Sequence, residues 1–515
     1  MALRHNYSKM ESNEPLMNRE VLKFAPQEFQ RGFYHSTDLY PARIAPWGDG
    51  KTLCMIMKGV VLSQMYPGNA GLIIRTRYNA LQRSTIRDFQ SWTGLHVPDQ
   101  KQCVEIRGTG SIIHFSHADN LEEFRYTIQG MNLGWVGIEQ ADELDNPEVF
   151  DMLIGRVRRI LTPNRQMQTD LVEMGVMERW VDNFETLGKE ERNKIERAII
   201  EKLHLPVRQI MVIANTLGHN WIYKRWKQPL VRGLMPMEGY ALYEGKPFEN
   251  TEYLPETTIK AWEQLKISSP KKYNRYVLNS WEDYDIEGAY YAELMSDVLK
   301  EGRMEIDNLY DTTVPVYTFW DLGVSDDTVI WFAQFVGNSI HLIDYYANSG
   351  KGMEHYSEVM NRKPYSYADH FVPHDAVHRL QGATITTRLD ILKRLRHREN
   401  VYVVDRHSIA ERIQAVRSIL NKCKFDDKCE KGTECLIHYQ REENKLKSTD
   451  ELKVFLDRPA HDRYSHGADA FGYMAMAYRY HSIGGQVLGY TGAIPQWYED
   501  EGADVGTVNL LELYR

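Results

Sequence analysis

Short apolar runs bounded by Gly, Pro, Asn or Asp recur along the chain in two separate stretches. The first stretch covers about residues 25–230. It predicts buried strands at Gly71–Arg75, Ser111–Ser116, Gly134–Ile138 and Gln209–Ala214, alternating with amphipathic helical patterns. The second begins near residue 314. Val316–Asp321, Val329–Phe335 and Ser339–Tyr345 predict an antiparallel meander, with Gly337-Asn338 as a reversed turn pair. Strands at Ala368–Val372 and Val401–Val404 and a helix over Gly467–Tyr480 follow. Between the stretches lies a polar region with mixed Pro, Glu and Lys. The expected organisation is therefore an N-terminal extension (1–24), an α/β domain (25–230), a helical subdomain and linker (231–313), a second α/β domain (314–481) and a C-terminal tail (482–515). There is no internal repeat or heptad series.

Composition narrows the class. Of 515 residues, 43% are hydrophobic and 26% charged, with 35 Gly and 19 Pro, which excludes collagen-like and disordered chains. No apolar run approaches 18 residues, and the first residues lack the apolar core of a secretory leader, so no membrane partner is expected. Five cysteines suit a reducing cytosol. The net charge of −9, taken alone, argues against nucleic acid. Its distribution changes that picture. Residues 51–118 carry eight Lys/Arg against three Asp/Glu, and residues 379–431 thirteen against seven. Residues 301–350 carry one base against eight acids, and the tail one against five. The basic stretches are available for phosphate backbone.

Residues 43–52 read Arg-Ile-Ala-Pro-Trp-Gly-Asp-Gly-Lys-Thr. Gly48 and Gly50 let backbone amides turn inward, Lys51 reaches β/γ phosphates, and the Thr52 hydroxyl suits Mg²⁺. Ala45 stands where a full phosphate loop has its first glycine. Glu139 ends a buried run in Leu-Gly-Trp-Val-Gly-Ile-Glu-Gln-Ala-Asp-Glu-Leu, where an acid joins the Mg²⁺ shell. The next residue, Gln140, orients water but accepts no proton, so Asp142 or Glu143 is the candidate base, and the sequence does not decide between them. A further buried run delivers Asn215 and Thr216 at its carboxyl end, where open α/β sheets bind ligands. Arg156, Arg158 and Arg159 are candidates for a charge-stabilising arginine.

Three carboxylates form a second set. Asp321 ends Val-Tyr-Thr-Phe-Trp-Asp, Asp375 lies in Pro-His-Asp-Ala, and Asp469 opens a helix in Ser-His-Gly-Ala-Asp-Ala-Phe. Gathered by a fold, they suit two hard cations bridging a scissile phosphate. Asp326, Asp327 and Asp344 are secondary candidates, and His374 and His466 each precede one of the acids. Cys423, Cys429, Cys435 and His438 lack the tight cysteine pair of a structural zinc site, and buried thiols are the better reading.

The order of these segments, with Glu287-Gly-Ala-Tyr-Tyr291 between them, resembles the large terminase subunit of tailed bacteriophages over about residues 25–480. The resemblance implies an α/β chain with an N-terminal P-loop ATPase domain of the additional-strand, catalytic-glutamate type, followed by an RNase H-like nuclease domain. It implies ATP bound by Gln27, Arg43, Gly48, Gly50, Lys51, Thr52, Asn215 and Thr216, with Gln27 reading adenine. Glu139 and Glu143 would be catalytic there, with Mg²⁺ held by Thr52 and Glu139. Asp321, Asp375 and Asp469 would be the catalytic nuclease acids and hold two Mg²⁺ or Mn²⁺ ions. The implied activities are ATP hydrolysis driving double-stranded viral DNA into a procapsid and endonucleolytic cutting of concatemers. The implied partners are DNA, a portal protein, a small terminase subunit and a homo-pentameric ring, in the host cytoplasm and transiently at the portal vertex. The rival expectations are a helicase-like or DNA-repair ATPase fused to a nuclease, and a non-enzymatic α/β scaffold.

Overall fold

The computed structural model describes residues 24–323, 326–378, 387–397, 399–444, 446–448 and 453–480. The N-terminal extension up to residue 23 and the acidic tail lie outside the described residues. The chain divides into two compact units, one reaching Lys300 and including Gln440–Arg458, the other taking Glu301–Tyr439 and the chain from Pro459.

The first unit is built on seven strands: β1 (Tyr40–Ile44), β2 (Ala70–Arg75), β3 (Cys103–Ile106), β4 (Ser111–His117), β5 (Trp135–Ile138), β6 (Gln209–Ala214) and β7 (Tyr240–Glu244). Their order is β3-β4-β2-β5-β6-β1-β7, all neighbours parallel except β3 against β4. Successive residues of β2 and β6 enter opposite cores: Ile73, Met211 and Ile213 one, Leu72, Ile74, Val212 and Ala214 the other. A sheet covered on both faces needs continuous apolar runs rather than alternation, which is why these strands are legible in the sequence. Strand β6 lies between β1 and β5, the additional strand expected of this ATPase class. The paired termini Ile44↔Ala214, Ile138↔Val212 and Ile74↔Ile138 bring the residues after β1, β2, β5 and β6 to one edge.

Strand β1 (Tyr-Pro-Ala-Arg-Ile) carries Pro41 and Arg43 within its five residues, so no apolar run marks it. The region read as helical holds helices Glu256–Ser268 and Ala292–Lys300, but Tyr240–Glu244 is a strand. Its short run Tyr240-Ala-Leu-Tyr243 is only partly buried because β7 is an edge strand, held through β1.

The second unit contains β8 (Val316–Asp321), β9 (Asp327–Val336), β10 (Ser339–Ser349), β11 (Tyr367–Val372), β12 (Asn400–Val403) and β13 (Cys423–Phe425), ordered β12-β11-β8-β9-β10-β13. β8, β9 and β10 form the expected antiparallel meander, with the turn at Gly337-Asn338, while β11 and β12 add in parallel beside β8. Counting this unit's first five strands from its own start, the order is 5-4-1-2-3, the RNase H-like arrangement. Val316, Trp320, Phe332 and Ile343 fill one face. On the other, Trp331 meets Phe471 of the helix Ser465–Tyr480 edge to face. Among the described residues no helix is long and apolar enough to cross a membrane.

Candidate functional site

The turn from β1 into helix α1 (Lys51–Met65) holds its shape through glycines and tethers. Gly48 and Gly50 have φ of +72° and +80°, the left-handed region that side chains avoid. The Gln30 amide donates to the Asp49 carbonyl (2.7 Å), Asn250 to that of Gly48 (2.6 Å), and the Trp47 N–H to that of Tyr276 (2.7 Å). Arg43 is buried and grips Asp49 through Nη2 (2.6 Å) and Nε (3.2 Å), so it shapes the loop from beneath. Gln27 begins the preceding helix and donates to the Tyr253 hydroxyl (3.0 Å); the glutamine that contacts the loop is Gln30.

Ala45 also has a physical account. A β-carbon added at Gly245 would lie 2.5 Å from the Ala45 β-carbon. The absent side chain on the neighbouring segment leaves room for the alanine methyl, and the left-handed turn is made by Gly48 and Gly50 instead.

Lys51 is buried, its ammonium donating to the carbonyls of Ala45 (3.1 Å) and Pro46 (3.2 Å). Burial pulls its pKa down, while Asp49, Asp142 and Glu139 act in the other direction. Thr52 Oγ1 donates to Glu139 Oε1 (3.0 Å), joining the two elements the sequence proposes for Mg²⁺, and Thr85 donates to the other Glu139 oxygen. Arg75 lies 4.0 Å from Glu139 and 3.5 Å from Glu143. Around them, Gln140 Oε1, Arg75 Nε and Thr76 Oγ1 are buried with no hydrogen-bond partner. Orphaned donors and acceptors beside a hydroxyl–carboxylate pair fit a phosphate with a hard cation.

The two candidate bases differ. Both Asp142 oxygens are engaged, one by the Asn215 N–H (3.1 Å) and one by Arg275 Nη2 (2.7 Å). Glu143 is partly exposed, and burial raises its pKa, opposed by Arg75. Arg275 further donates through Nε to the Thr216 carbonyl (2.7 Å) and through Nη1 to that of Asp285 (3.1 Å). The Asn215 amide donates to Ala45 (2.8 Å), the same carbonyl that Lys51 holds. Arg275, Thr85 and Arg75 carry no local motif; their sole sequence signal is a polar residue inside or beside an apolar pattern. Arg159 donates to the Asn132 carbonyl (3.1 Å).

In the second unit Asp321 ends β8, and Asp375 follows β11, the strand paired with β8. Asp469 lies in the first turns of the helix Ser465–Tyr480. The three acids lie within electrostatic reach: Asp321 raises the pKa of Asp375 and of Asp469, in each case second to burial among the raising causes. The Asp469 carboxyl is pushed up to about 6. Asp375 Oδ1 is buried without a partner. Mutually repelling carboxylates with an orphaned oxygen fit divalent cations.

His466 Nδ1 lies 2.9 Å from Asp321 Oδ2, and that bond raises its pKa. Beside it, ligand atoms of Asp326, His461 and His466 lie within 4.8 Å of one another. Arg412 Nη1 approaches Asp469 to 3.1 Å. Asp344 is drawn away from the acids into contacts with Lys363 and Tyr365. The cysteines face separate partners: Cys423 donates to Ile419, Cys429 to Leu342, and Cys435 meets Tyr345. Burial pushes all three thiols up, Cys435 to about 12.

The chain is similar to phage large terminases. The large terminase of a thermophilic bacteriophage, in complex with ADP, is 13% identical over 89% of this chain and 100% of its own, with a TM-score of 0.35. The Thermus phage P74-26 large terminase ATPase domain is 11% identical over 50% of this chain and 94% of its own (TM-score 0.31). The large terminase nuclease domain of bacteriophage SPP1, with bound Mn, is 12% identical over 34% of this chain and 96% of its own (TM-score 0.26). No family model and no curated protein sequence matches the chain.

Proposed function

We propose that this chain is a terminase large subunit: an ATP-driven motor that moves double-stranded viral DNA into a procapsid and a metal-dependent nuclease that cuts concatemeric DNA. One observation carries the reading. A phosphate loop whose Thr52 meets Glu139 and three converging carboxylates on an RNase H-like sheet occur in one chain.

The loop amides and Lys51 would hold the ATP phosphates, and Thr52 and Glu139 would hold a Mg²⁺ ion that supplies neutralisation of phosphate charge. Glu143 takes the proton from the attacking water, because Asp142 is committed to Asn215 and Arg275. Asn215 shares the Ala45 carbonyl with Lys51, so a change at Lys51 reaches Asn215 through that carbonyl and Arg275 in turn through Asp142. Asp321, Asp375 and Asp469 would hold two Mg²⁺ or Mn²⁺ ions, whose chemistry there would be to activate water and stabilise the leaving oxygen. The partners proposed are a portal protein, a small terminase subunit and four further copies of the chain, in the host cytoplasm and at the portal vertex.

The test separates the two sites. Asp375→Ala should abolish Mn²⁺-dependent plasmid cleavage and leave ATP turnover near wild type, and Lys51→Ala should do the reverse. Loss of both activities in either folded variant contradicts the two-site reading. ATP-dependent DNase protection of DNA should require procapsids; strand separation without them would favour a helicase-type motor.

A further inference from the structure

Beside the three acids, the second unit gathers a donor set of a different kind. Asp326 immediately precedes β9, His461 precedes the helix Ser465–Tyr480, and His466 lies in its first turn. His461 Nε2 and His466 Nε2 each stand 4.0 Å from Asp326 Oδ2. That is too long for a hydrogen bond, and two bonds of about 2.1 Å to one ion span it. The two imidazole rings are 5.5 Å apart at 75°, and a small rotation of the exposed His461 ring closes the set.

Each group is aimed by a contact of its own. The Asp321 carboxylate accepts from His466 Nδ1 (2.9 Å), so the lone pair of that ring is on Nε2. The Ser465 hydroxyl donates to the Asp462 carbonyl (2.7 Å), so towards His461 Nδ1 (3.4 Å) it is an acceptor. The hydrogen of the His461 ring is therefore also on Nδ1 and its lone pair on Nε2. A partner on the far nitrogen fixes the tautomer of a metal-bound histidine and strengthens it as a ligand. Asp326 is set by its backbone: a β-carbon added at Gly323 would lie 2.3 Å from the Asp326 carbonyl oxygen, so a glycine is required for the chain to fold back there.

We propose that Asp326, His461 and His466 bind one Zn²⁺ ion, at a site separate from the ions of the cleavage acids. Two imidazoles and a carboxylate suit zinc, with water completing the shell, whereas the all-carboxylate set suits Mg²⁺ or Mn²⁺. The His466 ring divides the two sites, with Asp321 on its Nδ1 edge and the zinc on its Nε2 edge. The ion would tie the start of β9 to the helix that carries Asp469. The zinc site stands independently of the nuclease reading.

The experiment titrates the full chain with ZnCl₂ calorimetrically in saturating Mg²⁺, which fills the all-oxygen sites. The wild type should bind one equivalent of zinc and gain thermal midpoint as it does so. Folded His461→Ala and Asp326→Asn should each weaken zinc binding at least about tenfold, the loss that follows removal of even an outer hydrogen-bond partner. The His461 side chain is 77% exposed, so its truncation leaves the packing intact. Asp375→Asn should bind zinc as the wild type does. Absence of zinc binding in Mg²⁺, undiminished affinity in His461→Ala and Asp326→Asn, or loss of zinc in folded Asp375→Asn would each overturn the assignment.

Discussion

Gly245→Ala tests the account of the phosphate loop directly. The added β-carbon would meet the Ala45 β-carbon at 2.5 Å, Asp49 Oδ1 at 2.9 Å and Pro46 Cδ at 3.0 Å. None of these can retreat easily, because Asp49 is gripped by Arg43 and the loop is tethered at Gln30, Asn250 and Tyr276. Overpacking of one methyl group in a tight site costs about 1–3 kcal/mol. Borne wholly by the nucleotide-binding loop, that strain weakens ATP by roughly 5- to 150-fold. Ala45→Gly in the same chain removes the closest of the three contacts and should recover part of the loss. Affinity for a fluorescent ATP analogue and steady-state ATP turnover both read the effect. Wild-type affinity in Gly245→Ala, or a double variant no better than the single, would refute the claim that Gly245 makes room for Ala45.

Glu143→Gln should abolish ATP turnover while ATP still binds, whereas Asp142→Ala should lower the thermal midpoint, because it strands the buried Arg275 guanidinium at a cost of about 3–5 kcal/mol. Turnover retained in Glu143→Gln would return the base to another residue. The acids of the second unit make its stability pH-dependent. Asp469 titrates near 6 in the fold against an ordinary carboxylate value when unfolded, so between those values the fold holds more protons. Metal-free protein should therefore lose stability as pH rises from about 4 to 7. Asp469→Asn should flatten that slope and Mn²⁺ should offset the loss at neutral pH, both read by thermal melts. A slope unchanged by Asp469→Asn would remove this residue as its source.

Much of the fold was legible in sequence. Gln209–Ala214 is buried at every position, and the pattern announces it as a strand because both faces of the sheet are covered. Tyr240–Glu244 was not legible, since its four apolar residues stand alone in a polar region and only pairing with β1 makes them an edge strand. At the sites, Lys51, Thr52, Glu139 and the three aspartates stand at strand ends or helix starts, where local pattern marks them. Arg275 and Arg412 do not, and a buried arginine reads in sequence like a surface one. The choice between Asp142 and Glu143 needed the positions of Asn215 and Arg275.

The sequence by itself determined the runs that become strands, the glycines that let the chain turn at 48 and 50, and the residue types suited to phosphate and metal. These are local properties, set by side-chain chemistry and backbone freedom over a few neighbours. Only the tertiary structure decided which of those groups meet. It placed Thr52 on Glu139, drew Asp344 away from the acids, occupied Asp142 with Arg275, matched Ala45 to Gly245 and set Arg412 beside Asp469. Each of these depends on packing between segments far apart in the chain, where a few tenths of an ångström separate a contact from a clash.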